Sequence, residues 1–257
     1  MNAGDQMTQM LALAGFGFLL GMRHATDADH VIAVTTILNR SKRFLDTTLI
    51  GALWGLGHTI TVVIVGVLII VFNVVIPPPV GLAMEFAVAL MLIGLGILNL
   101  TGGLRSLTER LTPPAPMHVH DHAYHGASHG HLHGHGENRG LVATLGRYQL
   151  IRPVVVGLVH GLAGSAAVAL LVLATIQDTG TAVVYLVIFC IGVAVGMAVL
   201  TTLIGLPFML SSAHSVQINR WLTIGSGILS LAFGLLLAHE IGFVGGLFTG
   251  DFNWEPA

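Results

Sequence analysis

Gly21-Met22-Arg23-His24-Ala25-Thr26-Asp27-Ala28-Asp29-His30 lies inside a predominantly apolar stretch, Met7–Leu38. A transmembrane helix needs about 20 mostly apolar residues, and this stretch is long enough. Five ionisable side chains, Arg23, His24, Asp27, Asp29 and His30, interrupt it. Each ionised group at the centre of a span costs about 3 kcal/mol on insertion scales. A chain keeps several of them only if they bind or pair with something. On a regular helix, with about 100° between successive residues, His24, Asp27 and His30 share a sector about 120° wide. Asp29 falls on another face and could join them only through a local break or from behind a ligand. Arg23 stands four residues before Asp27, a spacing that favours an ion pair. Imidazole with carboxylate suits divalent first-row metals such as Ni²⁺, Co²⁺ and Zn²⁺. A purely structural salt-bridge network is the alternative, but it gives two histidines no task.

Outward from this stretch, the whole chain reads as a membrane protein. Of its 257 residues 54% are hydrophobic and only 9% are charged, with a mean hydropathy of +0.86. Soluble domains carry roughly 25% charged residues. The net charge of −2 says nothing about partners, but no basic patch is large enough to suggest nucleic acid, so none is expected; the lipid bilayer is the expected partner. A single cysteine, Cys190, excludes an intrachain disulfide and a Cys-only metal cluster. Met1–Met10 lacks a basic segment and a cleavage site, so no removable signal peptide is expected.

Six stretches are apolar and long enough to span: Met7–Leu38, Thr47–Ile76, Val80–Leu104, Pro153–Ile176, Thr181–Leu210 and Arg220–Gly246. The expected fold class is therefore all-α, a polytopic membrane protein of six transmembrane helices. Nine of the ten Lys and Arg residues lie in the connections on one side. By the excess of positive charge on cytoplasmic loops, both termini lie outside and the long central loop is cytoplasmic. Three units follow: residues 1–104, a loop over 105–152, and residues 153–257.

The two outer units echo each other. Ile93–Leu100 and Ile224–Leu231 agree at six of eight positions. Gly21-x-x-His24 parallels Gly157-x-x-His160, and Gly51-x-x-x-Gly55 parallels Gly192-x-x-x-Gly196. With three spans per half the second half would be inverted, an arrangement that secondary transporters use with the site near the midplane. Shared small-xxx-small helix packing is the plainer reading.

Two further span histidines, His58 in Leu56-Gly57-His58-Thr59 and His160 in His160-Gly161-Leu162-Ala163-Gly164-Ser165, sit beside glycines that let helices approach closely. Each alone could be a helix-to-helix hydrogen bond. With His24 and His30 they make four candidate nitrogen ligands, so the candidate metal residues are His24, Asp27, Asp29, His30, His58 and His160. Glu85, near the outer end of the third span, is read as reaching the interface. The central loop carries His118, His120, His122, His125, His129, His131, His133 and His135 among small residues. This low-complexity tract cannot form a core, and its His-x-His spacing offers auxiliary, exchangeable metal sites.

At these residues the chain resembles the nickel/cobalt permease family. That family's His-x4-Asp-His signature reads here as His24, then Asp29-His30, within Arg23–His30, and Leu56-Gly57-His58-Thr59 resembles its second-helix motif. Other members have eight spans and a Leu-Gly-Phe-Asp-Thr-Ala-Thr-Glu element. Here His160–Ser165 stands at that place, which resembles the shorter, urease-associated nickel permease branch. The resemblance implies uptake of Ni²⁺ or Co²⁺ across the bacterial inner (plasma) membrane, the ion being cargo with no cofactor besides. It also implies a functional link to a nickel enzyme such as urease. Nickel/cobalt exporters carry a histidine-rich loop too, so efflux stays open, as does a membrane metal sensor or assembly factor. Enzymatic activity is not expected. The one His-Glu pair, His239-Glu240, has Phe243 where a zinc protease needs its second histidine, and no phosphate-binding Gly-rich loop is present.

Overall fold

The computed structural model describes residues 3–38, 44–72, 76–103, 118–124, 127–133, 141–161, 173, 175–176, 178–214 and 216–254. Seven α-helices build it: α1 (Ala3–His24), α2 (Ala28–Ile37), α3 (Phe44–Phe72), α4 (Pro78–Leu100), α5 (Leu141–His160), α6 (Thr179–His214) and α7 (Val216–His239). A π-helical turn, Glu240–Val244, extends α7. Among the described residues four helices are long and apolar enough to cross a membrane, over 47–72, 78–100, 179–207 and 217–244. Their outward faces are apolar, with Ile64, Val71, Leu90, Val187, Leu203 and Leu236 all open. This is a surface built for lipid, which makes the chain a multi-pass membrane protein.

The first expected span is not one helix. It breaks after His24, and Thr26 and Asp27 turn back to the carbonyls of Arg23 (2.8 Å) and His24 (3.1 Å). Thr26 Oγ1 also donates to the Arg23 carbonyl, at 2.6 Å. Asp27 then takes φ −59°, ψ 149° at the residue before α2, without a side-chain hydrogen bond to the helix start. The regular stacking expected of His24, Asp27 and His30 is thereby lost, because the backbone re-aims every side chain after His24. No ion pair joins Arg23 and Asp27 among the described residues; Arg23 is exposed. Of the fourth expected span, Pro153–Ile176, α5 supplies the start, running through Pro153 from as early as Leu141. Residues 162–172 of that span lie outside the described part.

The helices pack through glycines, and these contacts come in exchanged pairs. Gly21 of α1 abuts the backbone of Phe189 and Val193 on α6, while Gly157 of α5 abuts that of Trp54 and His58 on α3. Gly192 of α6 faces the Phe18 carbonyl of α1, while Gly57 of α3 faces the Val154 carbonyl of α5. Gly51 meets Thr201 and Gly66 meets Leu186 between α3 and α6. Gly96 meets Leu231 and Gly227 meets Leu100 between α4 and α7. A shift of 136 residues carries Phe18 onto Val154 and Gly21 onto Gly157, and one of 135 carries Gly57 onto Gly192. Gly57 and Gly192 thus stand in like surroundings, each against a carbonyl of the neighbouring helix. A Cβ at Gly21, Gly57, Gly96, Gly157 or Gly192 would run into the backbone of the neighbouring helix, and one at Gly51, Gly66 or Gly227 into a packed side chain.

Several polar groups inside the bundle are bonded across helices. Asn99 donates to the Thr223 carbonyl (3.0 Å) and to Ser226 Oγ (3.1 Å), and Ser230 to the Leu92 carbonyl (2.8 Å). Arg152 Nη2 donates to the Ile37 carbonyl (2.7 Å), capping the C-terminal end of α2. Asp178 caps α6, accepting from the backbone N–H (2.7 Å) and hydroxyl (2.7 Å) of Thr181. These two bonds favour its charged form and hold its carboxyl below the usual range. In the loop two strands, β1 (His118–Tyr124) and β2 (Ala127–His133), form an antiparallel hairpin. Its register sets His118 opposite His133, His120 opposite His131 and His122 opposite His129. His125 and His135 lie outside the described residues.

Candidate metal centre

Four histidines from four helices meet where α1 breaks. His24 ends α1, His30 lies in the first turn of α2, His58 sits mid-way along α3, and His160 ends α5. His30, His58 and His160 are fully buried, and His24 is 4% exposed. The rings form a chain of contacts around His30, whose centroid is 4.7 Å from His24, 4.8 Å from His160 and 5.3 Å from His58. The break makes this possible: it ends α1 at one ligand and starts α2 just before another.

The carboxylates take different places. His24 Nδ1 lies 3.0 Å from Asp27 Oδ2; in the tautomer in which it donates there, its Nε2 is the acceptor and pairs with His58 Nε2. A carboxylate behind a histidine in this way fixes the tautomer and turns the ring toward an ion. His58 Nε2 lies 3.0 Å from His24 Nε2. With metal–nitrogen bonds of about 2.1 Å, two ligands at a right angle sit about 3.0 Å apart, so this pair already has the spacing of a coordination edge. Asp29 Oδ1 accepts from His30 Nδ1 (3.0 Å) and from the His30 backbone N–H (2.9 Å), and Asp29 Oδ2 lies 3.5 Å from His160 Nε2. The side chain of Asp29 is 14% exposed and that of Asp27 34%, so Asp29 is the deeper acid.

Several ring nitrogens here have no hydrogen-bond partner among the described residues: His30 Nε2, His58 Nδ1 and both nitrogens of His160. Buried polar atoms are rarely left so. Two sets of three, His24–His30–His58 and Asp29–His30–His160, each bring one donor atom per residue within 4.8 Å of the others. Neutral imidazole with one carboxylate is a donor set for borderline divalent metals. All six residues singled out in the sequence are therefore gathered here, with Asp27 behind His24 in place of facing the cluster.

Two aromatic residues escaped the sequence reading. Trp54 is buried, with its ring 5.4 Å from that of His30 and 5.5 Å from that of His160. Phe189 lies 6.0 Å from His24. For Trp54 a signal existed: it stands one helical turn before His58, on the same face. Glu85 does not join the cluster; it accepts from Trp254 Nε1 at 2.9 Å and lines a cavity of ≈ 430 Å³ with Glu240 and Asn253.

Helices clad for lipid around a buried nest of imidazoles make this a multi-pass membrane protein with a candidate metal site. A family model described as high-affinity nickel-transport protein (NicO) matches residues 10–225, and the chain belongs to that family. It is 34% identical over 244 residues, covering 95% of this chain and 97% of the relative, to a urease accessory protein, UreH, of Bacillus sp. (strain TB-90). No solved structure matches it.

Proposed function

We propose that this chain is a secondary transporter that carries Ni²⁺, and Co²⁺ less readily, inward across the inner membrane through the His24–His30–His58–His160 cluster. The observation that carries this reading is the convergence of four buried histidines, three of them (His30, His58 and His160) with ring nitrogens unpartnered among the described residues, a costly arrangement in the absence of a cation. The ion would exchange its water shell for imidazoles and the Asp29 carboxylate. The exchanged glycine contacts support six spans arranged as two inverted halves that rock about the site. Both termini would lie outside, with the histidine hairpin collecting metal at the cytoplasmic mouth.

The name of the UreH relative favours one second reading, a membrane factor that binds nickel for urease assembly without moving it. Uptake of radioactive nickel into proteoliposomes separates the two. Under the transport reading the wild type accumulates nickel, and His24→Ala loses nearly all of it. A wild type that binds nickel but accumulates none favours the assembly factor. Vesicles of inverted orientation distinguish uptake from efflux.

A further inference from the structure

The metal donors are not one shell. They divide into two triads, His24–His30–His58 and Asp29–His30–His160, with His30 common to both. His30 stands almost midway, its ring centroid 4.7 Å from that of His24 and 4.8 Å from that of His160. The outer histidines of the triads occupy matching places in the two halves. The shift that carries Gly21 onto Gly157 carries His24 onto His160, and the shift that carries Gly57 onto Gly192 carries Trp54 onto Phe189. The ring contacts follow the same exchange: Phe189 lies beside His24, and Trp54 lies beside His160.

We infer that the cation occupies two overlapping stations in turn, first one triad and then the other, and passes between them on His30. This rests on the transporter reading above and refines it. One station is all nitrogen; the other replaces a nitrogen with the Asp29 carboxylate. Because they share His30, the two stations hold one ion between them. A transported ion must be held well enough to enter and loosely enough to leave, and adjacent sites of incomplete coordination meet both demands. The rings behind His24 and His160 belong to opposite halves from the histidines they touch. A rocking motion of the halves therefore loosens one station as it tightens the other.

The test uses the purified full chain in lipid nanodiscs with Co²⁺ as the probe, since its visible absorption reports the donor set. The wild type is expected to bind one Co²⁺. His58→Gln keeps one Co²⁺ with the spectrum of the mixed station, and His160→Gln keeps one with that of the nitrogen station. His30→Gln binds none, and all three variants lose nickel transport. If His58→Gln and His160→Gln lose binding together, or retain identical spectra, the donors form a single centre; the hand-off is then wrong while transport stands. A wild type that neither binds nor moves metal removes the transporter reading as well. Should a variant fail to fold, anomalous scattering from Co²⁺-soaked crystals of the wild type decides: two partial peaks flanking His30 support the relay, and one full peak overturns it.

Discussion

At the scale of single residues, the division of labour between two acids matters most. Asp27 bonds the far nitrogen of His24, a place from which a carboxylate can hold a tautomer and an orientation. Removing such a partner typically costs 10–100-fold in metal affinity or activity. Asp27→Ala should thus lower nickel affinity by roughly tenfold to a hundredfold, with Asp27→Asn, which keeps an acceptor oxygen, nearer the wild type; nickel titration calorimetry measures both. Equal and complete loss in the two variants would instead make Asp27 a direct ligand. The sequence marks out His24, Asp27, Asp29 and His30 as a cluster because lipid penalises them. Their individual tasks were hidden, because they depend on a break at Ala25-Thr26-Asp27 that holds neither glycine nor proline. Thr26 closes that break through its hydroxyl, a local bond that competes with the helix but does not announce it.

The helices show which parts of the chain were readable by length and hydropathy. α3, α4, α6 and α7 follow the expected spans closely, since long apolar runs with few charges leave few alternatives. α1 and α2 do not, because a broken helix and a continuous one have the same composition. Gly157 carries the clearest consequence of helix approach: a methyl group there would collide with the Trp54 carbonyl and crowd the His58 backbone nitrogen. Overpacking of this kind costs about 1–3 kcal/mol, and here it also moves two ligands apart. Gly157→Ala should therefore lower the melting temperature in detergent and abolish nickel uptake. Gly94→Ala, where nothing lies within 4 Å, should leave both unchanged. Gly21→Ala, the matching position in the other half, should resemble Gly157→Ala in both measurements.

For the molecule as a whole, the weak echoes between residues 1–104 and 153–257 acquire meaning through contacts that exchange between halves. The likeness of Ile93–Leu100 to Ile224–Leu231 was visible in the sequence because those segments touch each other through Gly96 and Gly227. The correspondence of α3 with α6 was visible only in part, since common glycines allow more than one alignment. The proposed orientation is testable in a Cys190→Ser background, Cys190 being the one cysteine and buried. A membrane-impermeant maleimide should label Asp251→Cys on intact cells and Ser128→Cys only after lysis; the opposite pattern would invert the topology. The broken first span also bears on how the protein is made. Neither apolar piece, Met10–His24 nor Ala28–Ile37, can cross a bilayer alone, since about 20 residues are needed. What seats α1 is Gly192 and Gly196 of α6, synthesised more than 150 residues later. An N-terminal fragment made without α6 would therefore lack these contacts, so the seat of His24 is completed only once α6 is in place.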